Sequence, residues 1–435
     1  MPHSKVTRTT LKNGLTVLLK EVHTIPLISW WVWYRVGSRH ERPGQTGISH
    51  WVEHMMFKGT RKFPGELADN AIGRDGGVRN AMTWIDWTAY FETLPADKID
   101  FALRLEADRM GHALFPPKEV ESERTVIISE RQGHENSPTF RLAEEVQAAA
   151  FRVHSYHHEV IGDMADLHSM TRDDLYGHYR SYYAPNNAVA VAVGDFKTKD
   201  MLARLRQLFD KYRPQPRPPL SPRPEPEQKG ERRVTLTGEG ETAYLMAAYH
   251  APKVTDPDFY PMVALDSILA GASSLNLFGG RTSNKSSRLY RSLVEKGLAA
   301  SVSGDLNPTV DPYLYSIFCT VRQGETPDAV ERALEAEVER IRSEAVSEAE
   351  LFKAIKQAKA MFAYSAESVT NQGFYLGFTE IFDTYKWFEN YLDRLAAVTV
   401  ADVQRVAQKY LAKSNRTVGH FIPEQKPEVR SQEPE

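Results

Sequence analysis

The sequence predicts an α+β protein built twice, each half a largely antiparallel sheet with helices on one face. Three observations carry this expectation. First, seven of the thirteen residues from Pro214 to Pro226 are proline. Such a run forms neither helix nor central strand and behaves as a stiff connector. It leaves two halves of similar length. Second, Thr171, Asp174, Leu175, Tyr182, Tyr183, Ala184 and Asn187 recur 228 residues later as Thr399, Asp402, Val403, Tyr410, Leu411, Ala412 and Asn415. Both copies read as a capped helix, a turn at Asn and a short strand (188–193 and 416–422), which points to duplication of a whole domain. Third, strand-like and helix-like segments are mixed along both halves. The expected division is 1–213, a linker 214–230, a second domain 231–422, and a polar, disordered tail 423–435.

In chain order, Asn13-Gly14 between alternating segments predicts a hairpin with a two-residue turn. Residues 28–36, rich in β-branched and aromatic types, predict a strand. Residues 47–57 predict a helix, and 78–94 one long strand or a hairpin. Helices are expected at 97–114 and 118–151, the second opened by Pro116-Pro117. In the second half, strands near 244–249, 300–306 and 313–321 alternate with helices near 256–269, 327–342 and 348–366.

Composition narrows the function. The 435 residues hold 41% hydrophobic residues, and Lys+Arg (54) nearly balance Asp+Glu (57). That balance gives no reason to expect nucleic acid as a partner. No stretch approaches the ~18 apolar residues of a membrane span. The lone Cys319 excludes an internal disulfide and a cysteine metal cluster. One cysteine and the absence of an apolar leader favour the cytoplasm, with the periplasm as the alternative for a processed start.

Twelve of the fourteen histidines precede the linker; only His250 and His420 follow it. His50 and His54 stand four apart in a predicted helix, so they share a face and can bind one zinc ion. Glu53 is three after His50, near the same face and within reach of a water beside the metal. A carboxylate there is a suitable general base. A helix with two hydrogen-bonded histidines would read the same way. Two neutral imidazoles leave the charge of a zinc ion uncompensated, so a carboxylate is expected from elsewhere. The helix after Pro117 carries Glu119, Glu121, Glu123 and Glu130. Glu123 and Glu130 are two turns apart on one face, with Val126 and Ile127 between them. Solvated acids at a helix start fit Glu119 and Glu121 better than Glu130.

The His-x-x-Glu-His order is that of the inverted zincins. Together with the interval from His54 to Glu130, it resembles the pitrilysin/insulinase family of zinc metallopeptidases. The segments from Gly47 to Thr60, Gly77 through Asn80, Ala81 and Thr83 to Tyr90, Glu123 to Glu130, and Arg288 to Ala299 resemble that family, in particular the active subunit of processing peptidases and its bacterial relatives. The resemblance implies zinc held by His50, His54 and Glu130, one ion per chain. It implies Glu53 as the base, Glu123 as a second acidic residue supporting the site, and substrate pairing along Asn80, Ala81 and Met82. By the residues alone, Asn80 would be taken for a turn residue satisfying its own backbone. The resemblance also implies two rolls enclosing a chamber.

One departure matters. The family's complete site uses an Arg and, seven residues later, a Tyr from the second domain. Here Tyr315 and Arg322 stand in the reverse order, and neither is carried over. In two-subunit relatives a metal-free partner supplies that pair. The expectation is therefore a zinc metalloendopeptidase acting on peptides as the catalytic subunit of a dimer, with a metal-free homologous partner favoured over a second copy. The competing reading is a non-catalytic structural or partner subunit, which would usually have a broken motif. A third is a hydrolase acting on something other than peptides.

Overall fold

The computed structural model describes residues 5–216, 223–275 and 285–424. Part of the proline-rich linker and most of the expected tail lie outside the described residues.

The first half folds around a six-stranded sheet of order β1-β2-β6-β3-β5-β4. Its strands are β1 (Thr7–Thr10), β2 (Thr16–Glu21), β3 (Leu27–Tyr34), β4 (Val78–Thr83), β5 (Thr88–Pro95) and β6 (Ala188–Gly194). Only β2 and β6 run parallel. The second half contains β7 (Arg232–Gly238), β8 (Tyr244–His250), β9 (Ala299–Leu306), β10 (Leu314–Val321) and β11 (Arg416–Pro423). Their order is β7-β11-β8-β10-β9, and only β7 and β11 run parallel. Once β1 is set aside, the path β2-β6-β3-β5-β4 is traced again. The repeated helices Arg172–Tyr182 and Val400–Tyr410 both begin with a reciprocal cap, Thr171 with Asp174 and Thr399 with Asp402.

Two local expectations change. The first hairpin ladder ends at Thr10 opposite Thr16, so residues 11–15 form the loop rather than a two-residue turn. Asn13 is occupied instead: its Nδ2 donates to the carbonyls of Phe209 (2.7 Å) and Tyr212 (3.1 Å). The helix expected over 118–151 is two helices, Pro117–Glu135 and Pro138–Ala150. Pro138 has no N–H to continue the first helix, while Ser137 caps the second by accepting from Phe140 N.

That break redirects the chain. The Pro138–Ala150 helix leaves its own half and lies on the second sheet, against β11, β7 and β8. There Leu142 and Val146 occupy the space above Gly419 of β11. In return, the Val369–Phe382 helix of the second half lies on β3 and β6 of the first. Each sheet therefore carries its own helices on one face and a helix from the other half on the opposite face. β6 shows how the sequence accommodates this. Ala188, Ala190 and Ala192 face one core, while Val189, Val191 and Val193 face the other. In β3, Trp30 belongs to the first core and Trp31 and Trp33 to the second. Gly373 and Gly377 of the crossing helix let these indoles reach its backbone; a Cβ at Gly377 would lie 2.0 Å from Trp33 Nε1. At these two crossings the halves pack core against core, and a cavity of about 220 Å³ between them is lined from both, by Gln147 and Glu159 on one side and Asp305 and Tyr313 on the other. The open space beside the candidate site is a cleft on the first half.

Candidate active site

The Ile48–Met56 helix buries Ile48, Trp51, Val52, Met55 and Met56 against the first core. That leaves His50, Glu53 and His54 on its other face. Its N-terminus is held by a residue that the motif did not reveal. Glu41 accepts the N–H groups of Gly47 and Ser49, both at 2.8 Å, and His158 Nε2 lies 2.9 Å from the same carboxylate. Gly47 has φ +84°, and a Cβ there would meet the carbonyl of Ile161 at 2.4 Å, so glycine suits the entry to the helix. The helix is also tied to Pro117–Glu135, where the Arg124 guanidinium lies 4.7 Å from the Trp51 ring.

Three donors converge between these two helices. His50 Nε2 and His54 Nε2 are 3.2 Å apart. Glu130 Oε2 is 3.9 Å from the first and 3.8 Å from the second. His54 Nδ1 lies 2.8 Å from Glu123 Oε1, which places a proton on Nδ1 and leaves the Nε2 lone pair facing the other two donors. Burial, reinforced by the neighbouring His54, lowers the His50 pKa to about 3, so its imidazole is neutral. Two imidazole nitrogens and one carboxylate oxygen around a common point are a zinc-type donor set with a position left open. The residues present fit that ion.

The surrounding charges are also organised. Glu123 is held at a pKa of about 2, chiefly by its hydrogen bond with His54, with burial opposing and Lys58 assisting. Lys58 Nζ lies 2.6 Å from Glu123 Oε2. For His54, burial works against protonation, but the bond to Glu123 and the adjacent carboxylates outweigh it and raise its pKa. Glu53 is pushed up to about 7 by burial, against the hydrogen bond that Thr83 Oγ1 donates to its Oε2 at 2.6 Å.

A cleft of about 600 Å³ opens here, lined by Glu53, His54, Phe57, Lys58, Asn80 and Glu123 among others. A larger cavity of about 780 Å³ lies at the other end of the helix, beside Glu41 and His178, and holds none of the three donors. β4 pairs with β5 on one side and forms the outer edge of its sheet. Asn80 Oδ1 accepts the N–H of Ala81 at 2.9 Å, the local backbone bond its residue type suggests. Ala81 is buried, and Met82 packs toward the core shared by the halves. Of the three, Asn80 lines the cleft. In the second half Tyr315 is fully buried, its hydroxyl donating to Asp266 Oδ1 at 3.1 Å. It is therefore unavailable to a substrate.

Residues 16–164 match the profile of the insulinase family, peptidase family M16, and residues 169–358 match the M16 inactive domain. The chain belongs to the M16 peptidase family. Its M16 relatives include zinc protease PqqE of Helicobacter pylori, 29% identical over 95% of this chain and 92% of the relative. A probable mitochondrial-processing peptidase subunit beta of Arabidopsis thaliana is 26% identical over 94% of this chain and 76% of that one. Among solved structures, a protease from Helicobacter pylori superposes with a TM-score of 0.90 at 27% identity, covering 97% of this chain and 100% of the other. The name inactive domain falls on the M16 half that lacks a His-x-x-Glu-His segment.

Proposed function

We propose that this M16 chain is a zinc-dependent metalloendopeptidase, with His50, His54 and Glu130 holding one zinc ion and Glu53 serving as the base. The observation that carries the reading is the convergence of those three donors, with His54 and Glu53 lining a cleft beside β4, the outer strand of its sheet among the described residues. When bound, zinc supplies Lewis acidity, acidifying a water and polarising the scissile carbonyl. Glu53 accepts the water proton as the oxygen attacks the carbonyl carbon, then delivers it to the leaving amide nitrogen. Glu123 keeps the His54 ring oriented through Nδ1, and Lys58 keeps Glu123 ionised. An extended peptide adds to the edge of β4 near Asn80, Ala81 and Met82, an arrangement that binds main chain with little sequence preference.

The same reading makes the chain the catalytic subunit of a dimer, a metal-free homologous partner being favoured over a second copy. Supporting it, Tyr315 is buried in the second core and is not free to hold a substrate. The alternative, a non-catalytic subunit, draws support from the name of the second-half profile but leaves the complete donor set without a use. Zinc analysis with a peptide-library digest separates the two. Glu53→Gln is expected to retain about one zinc while losing at least ~100-fold in hydrolysis, within the range of general-base removal. Near-normal turnover in the zinc-loaded variant would remove Glu53 from its role.

A further inference from the structure

Glu53 is oriented by a neighbour that the zinc motif does not contain. Thr83 is the last residue of β4, and its Oγ1 lies 2.6 Å from Glu53 Oε2. A hydroxyl has one proton to donate and lone pairs with which to accept. Among the described residues, the other hydrogen-bond partner of Thr83 Oγ1 is Thr88 Oγ1, at 3.3 Å. Thr88 in turn donates to the carbonyl of Val36 at 2.9 Å. With the Thr88 proton committed to Val36, the Thr83 proton is free for Glu53. Glu53 Oε1 has no protein hydrogen bond among the described residues, and the residue lines the cleft.

We infer that Thr83 is a positioning residue, clamping Oε2 of Glu53 so that Oε1 is presented to the reacting water. This rests on the reading of Glu53 as the base. The hydroxyl suits both states that a base passes through. It donates to the carboxylate, and it accepts from the carboxylic acid once Glu53 has taken a proton. Valine has the same shape and can do neither; serine can do both. The strand that holds Thr83 is also the one whose edge is proposed to take the peptide. Ala81 and Thr83 share one face of β4, by the two-residue period of a strand, and β4 packs on the Ile48–Met56 helix. A peptide added along that edge therefore stiffens the element that orients the base. Because the Thr83 side chain is engaged with Glu53 rather than with the peptide, its loss is expected in turnover and not in substrate binding.

The test is steady-state kinetics of the zinc-loaded protein, with its native partner present, on an internally quenched peptide taken from the library digest. Thr83→Val is expected to lower kcat about 10- to 100-fold while KM stays within about two-fold, since misplacing a catalytic group costs on that order. Zinc content and Tm are expected to match wild type. Thr83→Ser is expected to restore kcat to within about three-fold, because the same proton returns. In a Glu53→Gln background, Thr83→Val is expected to add nothing, since residues acting as one unit are not additive. An unchanged kcat in Thr83→Val, a serine variant as impaired as the valine one, or a full second loss on top of Glu53→Gln would each overturn the inference. If the valine variant fails to fold, the serine comparison and Thr83→Ala decide it by the same criteria. A fully active Glu53→Gln protein would instead overturn the assignment of the base, a separately visible failure.

Discussion

The two halves trace the same strand path but use it differently. After β3 comes the Ile48–Met56 helix, with two histidines and a glutamate on its open face. After β8 comes Phe259–Leu269, and all eleven of its residues are buried. The second helix sits at the equivalent point of the fold and has become core. The second half has a histidine–carboxylate cluster of its own, Asp328, Glu331 and His420. There, however, the Arg233 guanidinium pairs with both oxygens of Glu331 at 2.9 and 2.6 Å, and Arg416 approaches at 3.3 Å. Guanidinium groups already neutralise that carboxylate. In the first half Glu130 has no such cation among the described residues and faces two imidazoles. Duplicating a backbone thus duplicates packing, whereas a metal site also needs donors left without internal partners.

The largest expected effect tests that contrast directly. His54→Ala is expected to abolish zinc binding and, with it, essentially all hydrolysis, because a three-ligand site does not hold zinc with two. His420→Ala is expected to leave zinc content at wild-type level. Metal analysis of both variants checks this, and loss of zinc from the second would erase the difference between the halves.

Next in size is the partner effect. If, as proposed, a partner supplies the groups that hold the peptide, the isolated chain is expected to cleave weakly. Adding its partner is expected to raise kcat/KM at least about ten-fold, since positioning is a large share of catalysis. Light scattering run beside the assay checks it; a monomer with full activity would place the missing groups in this chain.

The exchanged helices bind the halves together, and their glycines are the sharpest probe. Gly377→Ala forces a methyl group into Trp33, and Gly419→Ala forces one toward Val146 Cγ2, which a Cβ would meet at 2.3 Å. Each is expected to cost about 1–3 kcal/mol, as overpacking does. Thermal melts followed by Trp fluorescence would register it, and unchanged melting would mean the two crossings are looser than described.

The smallest effect is acid sensitivity in the second half. Burial favours protonation of Glu331, but His420 and Arg233 outweigh it and hold the pKa at about 2. The folded value lies below the ordinary ~4.3, so this contribution is present above about pH 4.5 and is lost as pH falls toward about 2. In zinc-free protein, the gap in urea midpoint between wild type and Glu331→Gln is therefore expected to narrow from pH 5 to pH 3. A gap independent of pH would show that Glu331 is not held ionised.

Much of the candidate site was legible in the sequence because helix geometry is local. His50, Glu53 and His54 share a face through spacing alone, and residue chemistry supplies the need for a carboxylate. The repeated caps Thr171/Asp174 and Thr399/Asp402 were readable for the same reason. Glu41 and Thr83 were not, because their partners are set by sheet and loop packing rather than by spacing. The Ser137-Pro138 break is a local signal within the helix expected over 118–151, but its consequence is long-range. The continuous apolar runs of β3 and β6 held the corresponding clue to a second buried face.

The sequence by itself pointed to most of the elements, to the repeat and to the residues proposed to bind a metal, since propensity, capping and side-chain chemistry act within a few residues. Only the tertiary structure decided which helix covers which sheet, which glutamate meets His54 and which meets both imidazoles, and what orients Glu53. Those outcomes depend on apolar surfaces and hydrogen-bond partners far apart in the chain, and they become definite only when both cores close at once.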